Sequence, residues 1–389
     1  MSNLSIVQPT LLGKINERQV LRTLQAQGPL SRAEVARFSG ISAPTASKAV
    51  ESLMKSGYLE EGDADEIARG RPAKKLRLAT RTAQVLGVVV DVDKSRVVSA
   101  GLDGRIHDDL VSEFNTPGTY ENLIDEIVSR SKTLMRRSGI TTLGIAVSLP
   151  GQIDYRQGRS IFSPNIPVTN CHAPGVDISE RLGVECLVIQ ESHALCLAEK
   201  QFGAARGMDD FAMLDIGAGV GLGVMSGGKL LTGNTGLAGE IGHITVDIDG
   251  RKCGCGNYGC LETLACEAAL AWQLSQRFER KIDIERMLEL LQENPKLFET
   301  EIDRTCNYLA IALSAVINLF NPSTLFIHGR FFSTDESIFP ALIEKTKKRT
   351  LPPSFQDCRI IQAHGSKRQG AIATIIEHIT SSVVPELTS

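Results

Sequence analysis

The run Glu240-Ile-Gly-His243, a nine-residue gap, and then Cys253-Gly-Cys255-Gly-Asn257-Tyr-Gly-Cys260-Leu-Glu262 restricts this chain more than any other stretch. One imidazole and three thiols within so short a span make a tetrahedral set, His243, Cys253, Cys255 and Cys260. Thiolate ligands select zinc over magnesium or calcium, and a Cys₃His shell is closed, hence structural. Gly254, Gly256 and Gly259 let the backbone bend tightly enough to turn the sulfurs onto one point. Two carboxylates, Glu240 and Glu262, flank the set without being needed by the metal. The competing reading is a group of buried cysteines without a metal.

A chain of 389 residues exceeds the usual single domain, so two or three domains are expected. Nine cysteines at this length are too few for a disulfide scaffold, and a thiolate site needs reduced sulfur. No apolar run is long enough to span a bilayer, and the start Met1-Ser-Asn-Leu-Ser lacks the features of a signal peptide, so a cytoplasmic protein is expected. Charge is uneven. Residues 1–80 hold 12 Lys+Arg against 8 Asp+Glu, a net of +4, whereas the whole chain carries −3. A basic module on an acidic body points to a polyanionic partner for the N-terminal part alone.

That part reads as a winged helix-turn-helix. Apolar residues Ile15, Val20, Leu21 and Leu24 fall at helical spacing between Lys14 and Gln27, and Gly28-Pro29 ends the helix. Ser31 and Glu34 form a capping-box pattern that starts a second helix through Phe38. After the turn Ser39-Gly40-Ile41-Ser42, a third helix is predicted from Ala43 to Ser56, with Pro44 in its first turn. Its inner face would be Ala46, Ala49, Val50, Leu53 and Met54, leaving Thr45, Ser47 and Lys48 outward for base edges in a major groove. A basic wing follows, in which Arg69, Arg71, Lys74 and Lys75 would track phosphates and Arg71 would reach a narrow minor groove. The plainer alternative is a protein-binding helical bundle with a solvated basic loop. Residues 1–80 are therefore assigned to DNA binding, 81–84 to a short linker that couples the reader to the body, and 85–389 to the body.

From Val85 onward strands and helices alternate, as α/β architecture requires. Strands are predicted at Val85–Val90, Arg96–Leu102, Leu143–Ser148, Cys186–Gln190, Phe211–Ile216, Gly221–Ser226, Leu325–His328 and Arg359–Gln362. Helices are predicted near Tyr120–Arg137, Ala194–Phe202, Glu262–Arg277, Asp283–Leu291 and Glu301–Phe320. The glycine run Gly217-Ala218-Gly219-Val-Gly221-Leu-Gly223 after a strand suits either a phosphate cradle or a tight turn between strands. No Lys-Ser/Thr pair follows to make a Walker loop, and Leu222 to Leu231 reads as strand and hairpin, which disfavours a dinucleotide site.

These residues together resemble the ROK family of repressors, open reading frames and sugar kinases. The likeness rests on Gly239-Glu240-Ile-Gly-His243 with the cysteine loop, on Leu149-Pro150-Gly151, Ala198-Glu199, Phe202-Gly203-Ala204 and Asn321-Pro322, and on the N-terminal winged helix of the repressor branch. It implies an actin-like body of two ribonuclease H-like α/β lobes with a sugar or sugar phosphate bound between them. His243 would hold zinc on one ring nitrogen and face a sugar hydroxyl with the other, while Glu240 and Glu262 accept sugar hydroxyls. Asn165 and Asn170 are further candidate contacts.

The chain departs from the family's kinases. Where they carry Asn-Asp, with the aspartate as base, this chain has Glu191-Ser192. Asp91-Val-Asp93-Lys94-Ser95 replaces a glycine-rich phosphate turn, Gly217-Ala218-Gly219 lacks a threonine, and Gly329-Arg330 puts a long side chain where paired glycines would face adenine. No phosphoryl transfer is expected. Losing the aspartate also weakens sugar binding, unless Glu191 restores the contact, the sugar differs, or the pocket is vestigial. The expectation is a repressor of sugar uptake or catabolic genes, acting as a homodimer or dimer of dimers on an operator in double-stranded DNA. The alternatives are a kinase with a fused reader and a DNA-binding dimer that ignores ligands.

Overall fold

The computed structural model describes residues 9–62, 74–363 and 365–381, so Arg69 and Arg71, expected on the wing, lie outside the described residues. The N-terminal module consists of helices α1 (Pro9–Gln27), α2 (Arg32–Ser39) and α3 (Ala43–Lys55), then strands β1 (Leu59–Gly62) and β2 (Lys75–Leu78) paired antiparallel. The capping box at the start of α2 is complete: Glu34 N–H donates to Ser31 Oγ at 3.3 Å, and Ser31 N–H donates to the Glu34 carboxylate at 2.8 Å. Gly40 then turns the chain in the left-handed region at φ 70°, where glycine carries no Cβ penalty. Ser42 caps α3 through the Thr45 N–H. Val20, Leu21, Leu24, Val35, Ala49, Val50 and Leu53 are buried together, as the helical spacing predicts, whereas Ile15, grouped with them in the sequence, is exposed.

The body contains two five-stranded sheets. The first lobe comprises β3 (Ala83–Val89), β4 (Lys94–Ala100), β5 (Ile106–Asn115), α4 (Tyr120–Met135), β6 (Thr141–Leu149), the hairpin β7 (Gln152–Asp154) and β8 (Arg159–Phe162), α5 (Pro174–Leu182), β9 (Cys186–Gln190) and α6 (Glu191–Phe202). In the second, β10 (Phe211–Ile216), β11 (Val220–Ser226) and β12 (Lys229–Leu230) precede α7 (Glu267–Arg277), α8 (Ile284–Glu293), α9 (Glu299–Phe320), β13 (Thr324–His328), α10 (Ile338–Lys347), α11 (Pro352–Asp357) and β14 (Arg359–Gln362). The orders β5-β4-β3-β6-β9 and β12-β11-β10-β13-β14 repeat one plan: an antiparallel meander of three strands extended by two parallel ones. This duplication is the two-lobed, actin-like architecture.

The last helix, α12 (Lys367–Ser381), returns to the first lobe and packs on β3, β6 and α6. Gly370 sits against Ala194 of α6, where a Cβ would lie 2.9 Å from that residue's carbonyl carbon, so the two helices cross at backbone contact. Ile372, Ile375, Ile376 and Ile379 of α12 share one core with Val20, Leu21 and Leu24 of α1 and with Leu76 and Leu78 of β2. The connection expected at 81–84 is correspondingly short, because Ala83 already begins β3 and both Ala83 and Gln84 are fully buried.

Several elements differ from the sequence reading for identifiable reasons. The helix predicted over Glu262–Arg277 is broken: a short 3-10 turn covers Leu261–Thr263, and α7 starts only at Glu267, with the Cys266 sulfur accepting the Ala269 N–H. The chain before it is tied into the cysteine loop. Strand β5 was not predicted because it is an edge strand with mixed exposure along its length, which blurs the period-two signal.

Candidate ligand cleft and metal loop

The cysteine loop closes as its spacing requires. One ligand atom from each of His243, Cys253, Cys255 and Cys260 lies within 4.8 Å of all the others. Cys255 Sγ and Cys260 Sγ are 3.7 Å apart and Cys253 Sγ is 3.6 Å from His243 Nδ1, separations that suit ligands sharing one tetrahedral metal rather than a disulfide. Gly259, at φ +64°, makes the closure possible, since a Cβ there would fall 1.5 Å from the Asp247 carbonyl oxygen. Nδ1 of His243 therefore faces the sulfurs, while Nε2 faces away, 3.7 Å from Glu240 Oε2.

Above this loop a cleft opens between the lobes. Its walls include Asp91, Asn165, Gln190, Glu191, Ser192, Asp215, the turn Gly217–Gly221, Glu240, His243, Glu262 and Lys367. All five expected ligand residues, Glu240, His243, Glu262, Glu191 and Asn165, thus meet in one cavity. Asn170 does not join them: its Oδ1 accepts the Ser163 N–H at 2.6 Å and shapes the loop instead. The Gly217–Gly219 segment is a turn between antiparallel β10 and β11, with Gly217 N–H donating to Gly219 C=O at 2.9 Å. Glycine at 219 lets the chain approach Glu262, since a Cβ would lie 2.3 Å from Glu262 Oε2, and at 221 it lets the strand approach Ser192, whose Oγ would lie 3.0 Å from a Cβ. Glu262 accepts the Val220 N–H at 3.3 Å, yet burial still pushes its carboxyl up to about 7. Burial likewise raises Glu240, whose Oε1 accepts a hydrogen bond from Gln190 Nε2 at 2.9 Å.

Lys367, at the start of α12, escaped the sequence reading. Its ammonium donates to both oxygens of Glu191 at 3.0 Å and lies 3.6 Å from Asp91 Oδ2. Burial lowers its pKa, but Glu191, Asp215 and Asp91 more than offset that and hold it above the ordinary lysine value. Asp215 is in turn 2.7 Å from His328 Nδ1. Glu191 is thus not the free sugar acceptor the sequence suggested: both of its oxygens are engaged by an ammonium 176 residues away in the chain. Arg330 is also fixed, its N–H groups reaching Glu267 and its guanidinium lying 2.6 Å from Glu285.

A family model described as "ROK family" matches residues 85–376, and one described as "Winged helix-turn-helix DNA-binding" matches residues 14–60. The chain belongs to the ROK family. Among curated relatives, it is 27% identical to a xylose repressor of Bacillus spizizenii over 98% of this chain and 100% of that one. It is 28% identical to the DNA-binding transcriptional dual regulator NagC of Escherichia coli over 85% and 84%. Among solved structures, a ROK family transcriptional regulator, a homologue of the E. coli MLC protein, superposes with a TM-score of 0.81 at 25% identity, covering 96% of this chain and 98% of that one. A ROK family glucokinase from Streptomyces griseus, in complex with glucose and AMPPNP, shares the fold at a TM-score of 0.67 and 23% identity, over 75% and 97%.

In the winged helix-turn-helix of this ROK protein, Ser47 and Lys48 are exposed on α3, and Thr45 is half-buried with its hydroxyl 2.8 Å from Ser42 Oγ. Lys74 is exposed beside β2 and pairs with Glu61. No helix among the described residues is long and apolar enough to cross a membrane.

His193, next to Ser192, turns away from the cleft and pairs with the Tyr155 hydroxyl. Burial pushes its pKa down to about 4 from 6.5, so the folded chain resists protonation that the unfolded chain accepts. Stability is therefore expected to fall as pH drops from 6.5 toward 4, by about 2–3 kcal/mol at pH 4.5 from this residue. Urea unfolding of the wild type and His193→Gln at pH 7 and 4.5 checks this. An equal acid loss in both proteins would show that His193 is not its source.

Proposed function

We propose that this chain is a sugar-responsive transcription factor, a repressor of genes for sugar uptake or breakdown that binds operator DNA as a homodimer or dimer of dimers in the cytoplasm. In this reading α3 lies in the major groove with Thr45, Ser47 and Lys48 toward the bases, while the wing, with Lys74 and the expected Arg69 and Arg71, follows the phosphates. A sugar occupies the cleft against Glu240, His243, Glu262 and Asn165. Zinc, one ion per chain on His243, Cys253, Cys255 and Cys260, is structural: it would fix the imidazole and the loop that carries both carboxylates.

The observation that carries the proposal is the path of α12. Its first residue, Lys367, contacts the cleft, and its later turns share a core with α1 of the reader. A ligand that binds two lobe arrangements with different affinity would shift α12, and the reader with it. The cleft as it stands is narrow, so admitting a sugar would involve some parting of the lobes. Catalysis is disfavoured because Ser192 offers no carboxylate to take a proton from a sugar hydroxyl.

The test is binding of the full-length protein to DNA from upstream of its own gene, with and without xylose, glucose or N-acetylglucosamine. A typical coupling of about 1–3 kcal/mol would weaken DNA binding roughly 5- to 150-fold with the effective sugar. No response to any sugar favours a ligand-independent dimer, and ADP formation with ATP present favours a kinase. Lys48→Ala is expected to weaken operator binding by about 1–3 kcal/mol and to relax sequence preference at the base pair it faces, as loss of a base contact does. Unchanged operator affinity and preference would remove Lys48 from the interface.

A further inference from the structure

We infer that the cleft takes an uncharged, unphosphorylated sugar and rejects the corresponding phosphate esters, because its one lysine is already held by the chain's own carboxylates and further carboxylates line its walls. The inference rests on the proposed sugar-binding role and narrows the ligand class.

A phosphate needs either a cation or a set of free backbone N–H groups. Lys367 is the one lysine or arginine among the residues lining the cleft. Its ammonium is held by Glu191 at 3.0 Å and by Asp91 at 3.6 Å, with Asp215 adding to the negative surroundings. Three carboxylates around one ammonium leave no net positive field for a dianion to enter. Three of the amides along the walls are also taken. Val92 N–H donates to Asp91 Oδ1 at 2.8 Å, Gly217 N–H to Gly219 C=O at 2.9 Å, and Val220 N–H to Glu262 Oε2 at 3.3 Å. Glu240 and Glu262 add further carboxylates to the same walls.

What the cleft leaves unspent is neutral. Gln190 Oε1 and Ser192 Oγ are buried without a hydrogen-bond partner, and both residues line the cavity. An amide oxygen and a hydroxyl are met by the hydroxyl groups of a sugar, each of which both donates and accepts. Leaving such groups unpaired is costly, so their pairing supplies selectivity for a polyol. A phosphate would instead have to displace Glu191 or Asp91 from Lys367 and leave that carboxylate unpaired beside it.

The test is calorimetric titration of the full-length protein with xylose, glucose and N-acetylglucosamine, with glucose 6-phosphate and N-acetylglucosamine 6-phosphate, and with inorganic phosphate. One free sugar is expected to bind, any phosphate ester of it at least about tenfold more weakly, and inorganic phosphate not at all, each tenfold being about 1.4 kcal/mol. Asp91→Asn, which relieves Lys367 of a partly exposed carboxylate, is expected to narrow the gap between sugar and ester by at least about threefold. Lys367→Met would leave three carboxylates uncompensated and disturb folding, so the asparagine variant is the informative one. An ester that binds more tightly than its parent sugar, or phosphate binding that competes with the sugar, overturns the inference while leaving the sugar-responsive role intact. Binding of none of the six removes that role and the inference together.

Discussion

Cys260→Ser protein is expected to lose the proposed zinc binding and, with it, all response to sugar, while still binding DNA. Cys260 is fully buried, and its sulfur lies within 3.7 Å of Cys255 Sγ and 3.5 Å of the His243 carbonyl, so it anchors the far end of the loop to the near end. Without the metal, loop closure would rest on weak contacts such as the isolated bridges Thr245–Cys260 and Lys252–Tyr258. Structural zinc sites commonly supply much of the folding free energy of the segment they close. Glu240, His243 and Glu262 would lose their shared geometry, and sugar affinity should fall at least about 100-fold, or roughly 2.8 kcal/mol. The reader has its own buried residues on α1, α2 and α3, far from this loop in the chain, so DNA affinity without sugar should change little. Metal analysis, sugar titration and DNA binding on one preparation check the three parts. Metal-free protein that still releases DNA at normal sugar concentration would show that the loop has no part in sensing.

The sequence made local features legible and hid those that depend on distant partners. The ligand set His243, Cys253, Cys255 and Cys260 could be read because all its members fall within eighteen residues. The capping box Ser31–Glu34 and the inner face of α3 could be read for the same reason. Helix α12 could not. It is rich in isoleucine, includes Gly370, and is buried on several sides, so it shows neither strong helix propensity nor a clear apolar stripe. Missing α12 meant missing Lys367, and without Lys367 the nearby carboxylates looked like losses. Asp91, read only as the start of an altered phosphate turn, is part of the cage around an ammonium, and Glu191, read as a replacement sugar contact, is that ammonium's closest partner. The departure from a kinase pocket was visible in the sequence as substitutions. Its electrostatic sense appears only when residues 91, 191, 215 and 367 are brought together.

Glu60→Ala is expected to leave sugar and DNA binding individually near normal but to uncouple them. Glu60 sits on β1 of the reader, 7% exposed, and its two oxygens accept from Arg77 Nε at 2.8 Å, Thr80 Oγ1 at 3.0 Å, Arg81 N–H at 3.0 Å, Thr82 N–H at 3.2 Å and Thr82 Oγ1 at 3.1 Å. One carboxylate thus clasps the whole connection between reader and body. Burial raises its pKa, but these donors more than offset that and hold it below the ordinary carboxylate value of 4.5. The stabilisation is therefore fully present above pH 4.5 and lost as pH falls through the lower folded value. Truncation strands several donors at once, costing about 2–4 kcal/mol, short of unfolding a typical domain. Among the described residues the reader meets the body at α12 and at this clasp, and a displacement of α12 reorients the reader if the clasp holds this second point fixed. With the clasp gone, the same displacement would be absorbed by motion about Thr80–Thr82. The sugar-dependent change in DNA affinity should then shrink to less than about twofold, from the roughly 5- to 150-fold of a coupled protein. Glu60→Gln, which keeps the shape but loses charge and one acceptor, should fall between. A Glu60→Ala protein that folds, binds both ligands and still responds fully would place the coupling entirely in α12.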